Sequence, residues 1–163
     1  MNAQTDNQSR FVLIGIGSNI DPEENIRAAL KSLDELTTLK EVASIWQTPA
    51  VGSEGPDYLN TTALIETDLT PDLLKLEILT LVEKKLGRVR SNNKNEDRTI
   101  DLDILVYDNQ PFDDDLWTHP HITIPASEIF PELVEPNTGE SLSQAALRFL
   151  PEINFIERKD LNL

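Results

Sequence analysis

The chain has 163 residues, 39% of them apolar, enough for one hydrophobic core and far above disordered composition. Cysteine is absent, which excludes disulfides, thiolate metal sites and cysteine nucleophiles and fits a reducing, cytoplasmic setting. A net charge of −15 argues against duplex nucleic acid and anionic membranes as partners, and no apolar run is long enough to span a bilayer.

Residues 1–10 are polar, lack the apolar core of a secretory signal, and read as a disordered tail before one domain over 11–163. Phe11 to Ile16 predicts a buried strand that ends in a turn around Gly15, Gly17, Ser18 and Asn19. A third glycine in register is missing, so Gly15-Ile16-Gly17 is no dinucleotide fingerprint. Asp21-Pro22 predicts a capped helix start, and Ile26, Ala29, Leu30, Leu33 and Leu36 follow helical spacing. Glu41 to Gln47 predicts a strand, Thr48 to Pro56 a loop, and Tyr58 to Thr67 a second strand. Thr70-Pro71 opens a further helix with Leu74, Ile78, Leu81 and Val82 on its core face, closed by Gly87. Ile100 to Tyr107 predicts a strand and Asp113 to Asp115 an acidic turn. Pro125 to Pro131 predicts a single helical turn, and Ser141 to Phe149 a short helix. Strand, helix, strand, strand, helix, strand predicts an α+β fold of ferredoxin-like type, an antiparallel sheet with helices on one face and an irregular C-terminal extension.

Basic residues cluster at Arg88, Arg90, Lys94 and Arg98; acidic residues alone then run on to Arg148. Such a pair of segments binds a polyanion with a divalent metal, or is a solvated loop beside a solvated acidic surface; composition alone favours the second. Asp101 and Asp103 in Arg98-Thr99-Ile100-Asp101-Leu102-Asp103 share one strand face about 7 Å apart. Paired carboxylates beside an arginine suit Mg²⁺ and phosphate. The competing reading is an exposed strand face with ordinary aspartates, although Asp is a poor strand former. The spacing leaves both open.

The same segment, Arg98-Thr-Ile-Asp101-Leu-Asp103-Ile-Leu, resembles the signature of the 6-hydroxymethyl-7,8-dihydropterin pyrophosphokinases. Ile16-Gly17-Ser18-Asn19, Thr48-Pro49 with Val51-Gly52, Pro56-Asp57-Tyr58-Leu59-Asn60, Gly87-Arg88-Val89-Arg90, Pro120-His121 and Phe130-Pro131-Glu132-Leu133 extend the resemblance over roughly residues 11–150. The resemblance implies transfer of pyrophosphate from MgATP to a hydroxymethyl pterin, with AMP released, in folate biosynthesis by a monomer. It implies two Mg²⁺ ions on Asp101 and Asp103. Arg88 and Arg98 would clamp phosphates, with added charge from Arg90 and Lys94. Glu83 and His121 would face the nucleotide, His119 being the rival to His121. Tyr58, Asn60 and the Thr48, Pro49 and Val51 segment would bind the pterin. Two departures stand out. Asn95 takes the place of a usual aromatic, followed by Glu96 and Asp97 where a phosphate approaches. The segment between His121 and Pro131 is shortened and carries no arginine. They leave a second reading, a non-catalytic relative that binds nucleotide or pterin.

Overall fold

A computed structural model describes residues 8–50, 54–89, 92 and 97–161. Strand β1, Arg10–Ser18, does not stop at the glycines as expected. It is the central strand, and Gly15 and Gly17 are held extended by pairing on both sides, to β4 (Tyr58–Thr67) and to β5 (Asp101–Tyr107). Strands β2 (Thr38–Val42) and β3 (Trp46–Thr48) both pair antiparallel with β4, while short β6 (Gln110–Pro111) and β7 (Ile156–Glu157) close the edges. The order is β6-β5-β1-β4-β3-β7, with β2 also on β4. The single strand expected over 41–47 is broken between β2 and β3. There the Ser44 N–H donates to Glu128 Oε2 at 2.8 Å, and the Trp46 indole N–H donates to Oε1 of the same carboxylate at 2.9 Å.

Helix α1, Pro22–Leu36, begins at the expected proline, but Asp21 does not cap it. Its backbone is left-handed, φ 40°, whereas a capping side chain needs extended backbone to reach the first N–H groups. Ile26, Ala29, Leu30 and Leu33 are buried as expected, and Leu36 is exposed. The next helix runs through α2 (Pro71–Leu73), a π-helical stretch Leu74–Leu79, and α3 (Thr80–Lys85). The wider π turn advances the buried face by one residue, so Leu79 is buried and Leu81 is 53% exposed, reversing the expectation from α spacing. Gly87, at φ 83°, ends α3. Its N–H donates to the Lys84 carbonyl and that of Arg88 to the Glu83 carbonyl, a Schellman pair. Arg88 is thereby delivered beside the helix end.

Val12, Ile14, Ile16, Leu102 and Ile104 form one face of the sheet and pack against α1 and the α2–α3 helix. The opposite face, with Leu13 and Val106, is covered by a 3₁₀ turn (Asp114–Trp117), α4 (Pro120–Ile129) and α5 (Leu142–Phe149). Helices therefore lie on both faces, a correction to the one-sided expectation. The missed element is α4, foreseen as one turn. Pro125 inside it and Ile122, Thr123 and Ile124 before it all disfavour a helix. Tertiary bonds override that preference: the Thr123 hydroxyl donates to the Leu116 carbonyl at 2.7 Å, and the Thr62 hydroxyl to the Pro125 carbonyl at 3.1 Å. No described helix is long and apolar enough to cross a membrane.

Candidate functional site

Directly paired residues on neighbouring strands share a face. Asp101 pairs with Gly17, and Gly17 with Asn60; Asp103 pairs with Gly15, and Gly15 with Thr62. Two parallel rows thus cross the sheet, each with carboxylate at one side, glycine in the middle and a hydrogen-bonding side chain at the other. The glycines leave the floor low. A Cβ on Gly17 would stand 2.8 Å from Asn60 Oδ1, and one on Gly15 would stand 3.0 Å from Leu105 Cδ1. Above this floor opens a cleft of about 820 Å³. Thr48, Pro49, Tyr58, Asn60, Arg98, Asp101, Asp103, His119 and His121 all line it.

The cationic side is tied together. Arg88 Nη1 donates to Asp101 Oδ1 at 2.6 Å, and Arg98 Nη1 to Asp101 Oδ2 at 2.6 Å. Glu83 is 4% exposed, and its Oε1 accepts from the Leu102 N–H at 3.0 Å and faces Arg88 Nη1 at 2.9 Å. It braces the start of β5 to the end of α3 and also borders a smaller cavity of about 180 Å³, shared with Lys75, Arg88, Arg98, Asp101 and Asp103. Burial would lower the Arg88 pKa, but Asp101 and Glu83 outweigh it and the guanidinium stays charged. Among the described residues no hydrogen bond or ion pair holds Asp103, and the Arg88 charge offsets only part of the repulsion on it. Desolvation in the cleft, then the Asp101 carboxylate, push its carboxyl up to about 6. Its exposed surface at the cleft mouth lets solvent screen part of that repulsion. A cation between the two aspartates would reverse it.

The sequence marks Asn19 as a turn residue and as part of the Ile16-Gly17-Ser18-Asn19 motif, without a role at the site. Its side chain accepts from the Arg98 N–H at 2.7 Å and donates to Asp97 Oδ1 at 2.8 Å, and its own N–H donates to the Arg98 carbonyl at 3.1 Å. This buried amide fixes the backbone from which Arg98 reaches the cleft, and it occupies one oxygen of the Asp97 carboxylate. The signal was present, since Asn after Gly-Ser at a strand end is a side chain able to bridge two segments.

On the other side, Tyr58 and Asn60 lie two apart on β4. The Asn60 amide is 7% exposed and donates to Thr48 Oγ1 at 2.8 Å. Burial raises the Tyr58 pKa, so its phenol stays protonated at neutral pH. Both histidines border the cleft, their rings edge to face at 5.7 Å. His119 is the more exposed and faces Asp115 at 3.4 Å. Burial, then His119, lower the His121 pKa, leaving a neutral imidazole at pH 7. Sequence reasoning missed Phe155, which enters the cleft from the C-terminal segment. Val51, Arg90 and Lys94, also expected at the site, lie outside the described residues.

Among the described residues no group of three or more His, Cys, Asp or Glu side chains is placed to hold a metal. Asp101 and Asp103 are the cleft carboxylates that share one strand face, with Asp113, Asp115, His119 and His121 elsewhere on its lining.

The family model for 7,8-dihydro-6-hydroxymethylpterin-pyrophosphokinase matches residues 13–132. The chain is 39% identical over 137 residues to the 2-amino-4-hydroxy-6-hydroxymethyldihydropteridine pyrophosphokinase of Haemophilus influenzae, covering 77% of this chain and 84% of that one. It is 33% identical over 150 residues to the enzyme of that name from Methylorubrum extorquens, covering 85% and 92%. Its fold is similar to wild-type Plasmodium falciparum HPPK-DHPS crystallised with pteroate, at a TM-score of 0.65 and 9% identity. That match covers 88% of this chain and 43% of the solved one, so the chain spans less than half the length of that protein.

Proposed function

Because the chain belongs to the 7,8-dihydro-6-hydroxymethylpterin-pyrophosphokinase family, we infer that it transfers pyrophosphate from ATP to 6-hydroxymethyl-7,8-dihydropterin, a step of folate biosynthesis. The pterin hydroxymethyl oxygen bonds to the β-phosphorus and gives up its proton to solvent, the bond from that phosphorus to the α-phosphate oxygen breaks, and AMP leaves with that oxygen. What supports the reading most is the two-row register, which sets Asp101 and Asp103 opposite Asn60 and Thr62 across a glycine floor. A ligand lying over that floor spans from charged groups suited to phosphates to an amide suited to a pterin edge. The β5-β1-β4-β2 order with α1 and α2–α3 on one face supports a ferredoxin-like core, the second helical layer being an addition to it.

Transfer of this kind depends on positioning and charge neutralisation rather than on covalent work by the protein. Arg88 and Arg98 take phosphate oxygens by guanidinium forks. Asn19 holds Arg98, and Glu83 holds Arg88, in the geometry that makes those contacts. Asp101 and Asp103 fit Mg²⁺, a hard cation satisfied by one or two carboxylates with phosphate oxygens and water in its other positions. Bound there, the metal supplies neutralisation of phosphate charge. The neutral His121 imidazole donates or accepts one hydrogen bond to the nucleotide without adding charge. Asn60 reads the pterin amide edge with donor and acceptor together, and Tyr58 covers its face.

The test is release of AMP from MgATP on addition of 6-hydroxymethyl-7,8-dihydropterin. Asp101→Ala and Asp103→Ala should abolish it with the far-UV circular dichroism unchanged. Wild-type protein that binds both ligands yet releases no AMP would be a non-catalytic relative.

A further inference from the structure

A planar bicyclic ligand is bound best between two flat apolar walls, and Tyr58 is only one. We propose that Phe155, carried on the C-terminal segment, is the second wall, and that pterin is held between Tyr58 and Phe155. This assignment rests on the pterin reading of the cleft.

The argument begins with register. β3 pairs with β4 through Thr48 and Tyr58, and with β7 through Gln47 and Ile156. Continued one residue beyond its last paired position, that antiparallel register would set Phe155 opposite Thr48. Tyr58, Thr48 and Phe155 would therefore form one cross-strand row, and all three line the cleft. The two rings rise from positions two strand spacings apart, about 9.6 Å. A flat molecule in van der Waals contact with a ring on each side needs about 7 Å between the ring planes. A modest lean of the two side chains toward each other on binding would take up the difference. Thr48, between them, is small enough to leave the slot open. Its hydroxyl holds Asn60, so the amide that reads the ligand's edge sits at the foot of the same slot.

The segment that carries Phe155 is anchored on its C-terminal side. Following β7, the Arg158 N–H donates to the Ile45 carbonyl at 2.8 Å. Its guanidinium reaches Gln47 Oε1 at 3.1 Å, Glu23 Oε1 at 3.0 Å and Asp160 Oδ2 at 2.8 Å. Leu161 packs against the main core. These contacts tie the end of the chain to α1 and β3, which gives a distant residue a fixed place at the site. Phe155 lies beyond the residues matched by the family model, 13–132. The wall thus comes from a part of the chain separate from the signature segments.

The experiment uses the full chain and the fluorescent 6-hydroxymethylpterin as probe, titrated beside MgATP. Loss of one stacking partner from a flat ring costs about 10-fold in affinity. Phe155→Ala should weaken the pterin about 10-fold and leave MgATP affinity unchanged, and Phe155→Tyr should restore pterin binding. Phe155→Leu, which keeps apolar bulk without a flat face, should fall between. Pterin affinity unchanged in Phe155→Ala overturns the assignment alone. Equal loss of both ligands in Phe155→Ala, with no recovery in Phe155→Tyr, makes the residue a structural anchor and also overturns it. Wild-type protein that binds MgATP but no pterin overturns the functional reading, and the assignment with it.

Discussion

Replacing Gly17 by alanine tests the site at its most constrained point. The new Cβ would lie 2.8 Å from Asn60 Oδ1, well inside normal contact, and 3.9 Å from Tyr58 Cδ1. Asn60 cannot retreat with its backbone, which is paired to Gly17 on one side and Trp46 on the other. Its amide must rotate, which breaks the 2.8 Å bond to Thr48 and turns the group away from the ligand edge. Leaving a buried amide mispaired costs about 1–3 kcal/mol, and the same loss on the ligand side weakens pterin about 5- to 150-fold. Gly17 has no positive φ, so the about 0.4–1 kcal/mol of chain entropy that alanine recovers offsets only part of that folding cost. Gly15→Ala is the contrast. Its Cβ meets Leu105, which is 1% exposed, at 3.0 Å, so the cost is overpacking of about 1–3 kcal/mol. Calorimetric titration with 6-hydroxymethylpterin and thermal melts separate the two. Both variants should lose Tm, and Gly17→Ala should in addition lose pterin affinity through the displaced Asn60 amide. Pterin affinity in Gly17→Ala within twofold of wild type would refute the placement of Asn60 at the ligand.

Three further outcomes are expected. A carboxyl pushed up to about 6 in the fold, against 3.8 unfolded, destabilises the fold when ionised, and the penalty fades as pH falls through 6 toward 4. Asp103→Asn should therefore melt above wild type at pH 7.5, with the gap closing toward pH 4, while losing pterin-dependent AMP release; an equal or lower Tm at pH 7.5 refutes the repulsion. Glu83→Gln weakens the charge-assisted contacts of a buried side chain with Leu102 and Arg88, about 1–3 kcal/mol, read by denaturant unfolding, and an unchanged midpoint would show that the brace carries no stability. Asn19→Ala frees the Arg98 backbone, so turnover should fall about 10-fold or more while pterin affinity holds; an unaltered turnover shows Arg98 to be placed without it.

Local patterns carried much of the fold. The alternation from Tyr58 to Thr67 and the Asp-x-Asp strand were legible because each is set by a side-chain period of two against a buried face. Leu81 was misplaced because a π turn is invisible to a search at helical spacing. Only one turn of helix α4 was expected, over Pro125 to Pro131, because Pro125 and three β-branched neighbours speak against a longer one, and hydrogen bonds from elsewhere in the fold reverse that preference. At the site, motif residues such as Tyr58, Asn60, Arg98 and Asp101 could be named from the chain. Their convergence could not, since it depends on which strands become neighbours. Phe155 carried no local signal at all. It reaches the cleft through a two-residue edge strand, Ile156–Glu157, too short to stand out in sequence.

Asp101, Gly17 and Asn60 occupy one cross-strand row, with Asp103, Gly15 and Thr62 in the next, so the groups proposed to meet the two substrates are indexed by backbone ladders rather than by loops. A slip of β1 by one residue would turn Ile14 and Ile16 into the cleft and the glycines toward the main core, since every side chain changes face together. No intermediate register keeps half a site. Inactivation at this level is digital: each molecule is either fully indexed or inert, and a measured activity counts molecules. The connecting segments, by contrast, can vary in length without altering the spacing between carboxylates and amide, because that spacing is counted in strands.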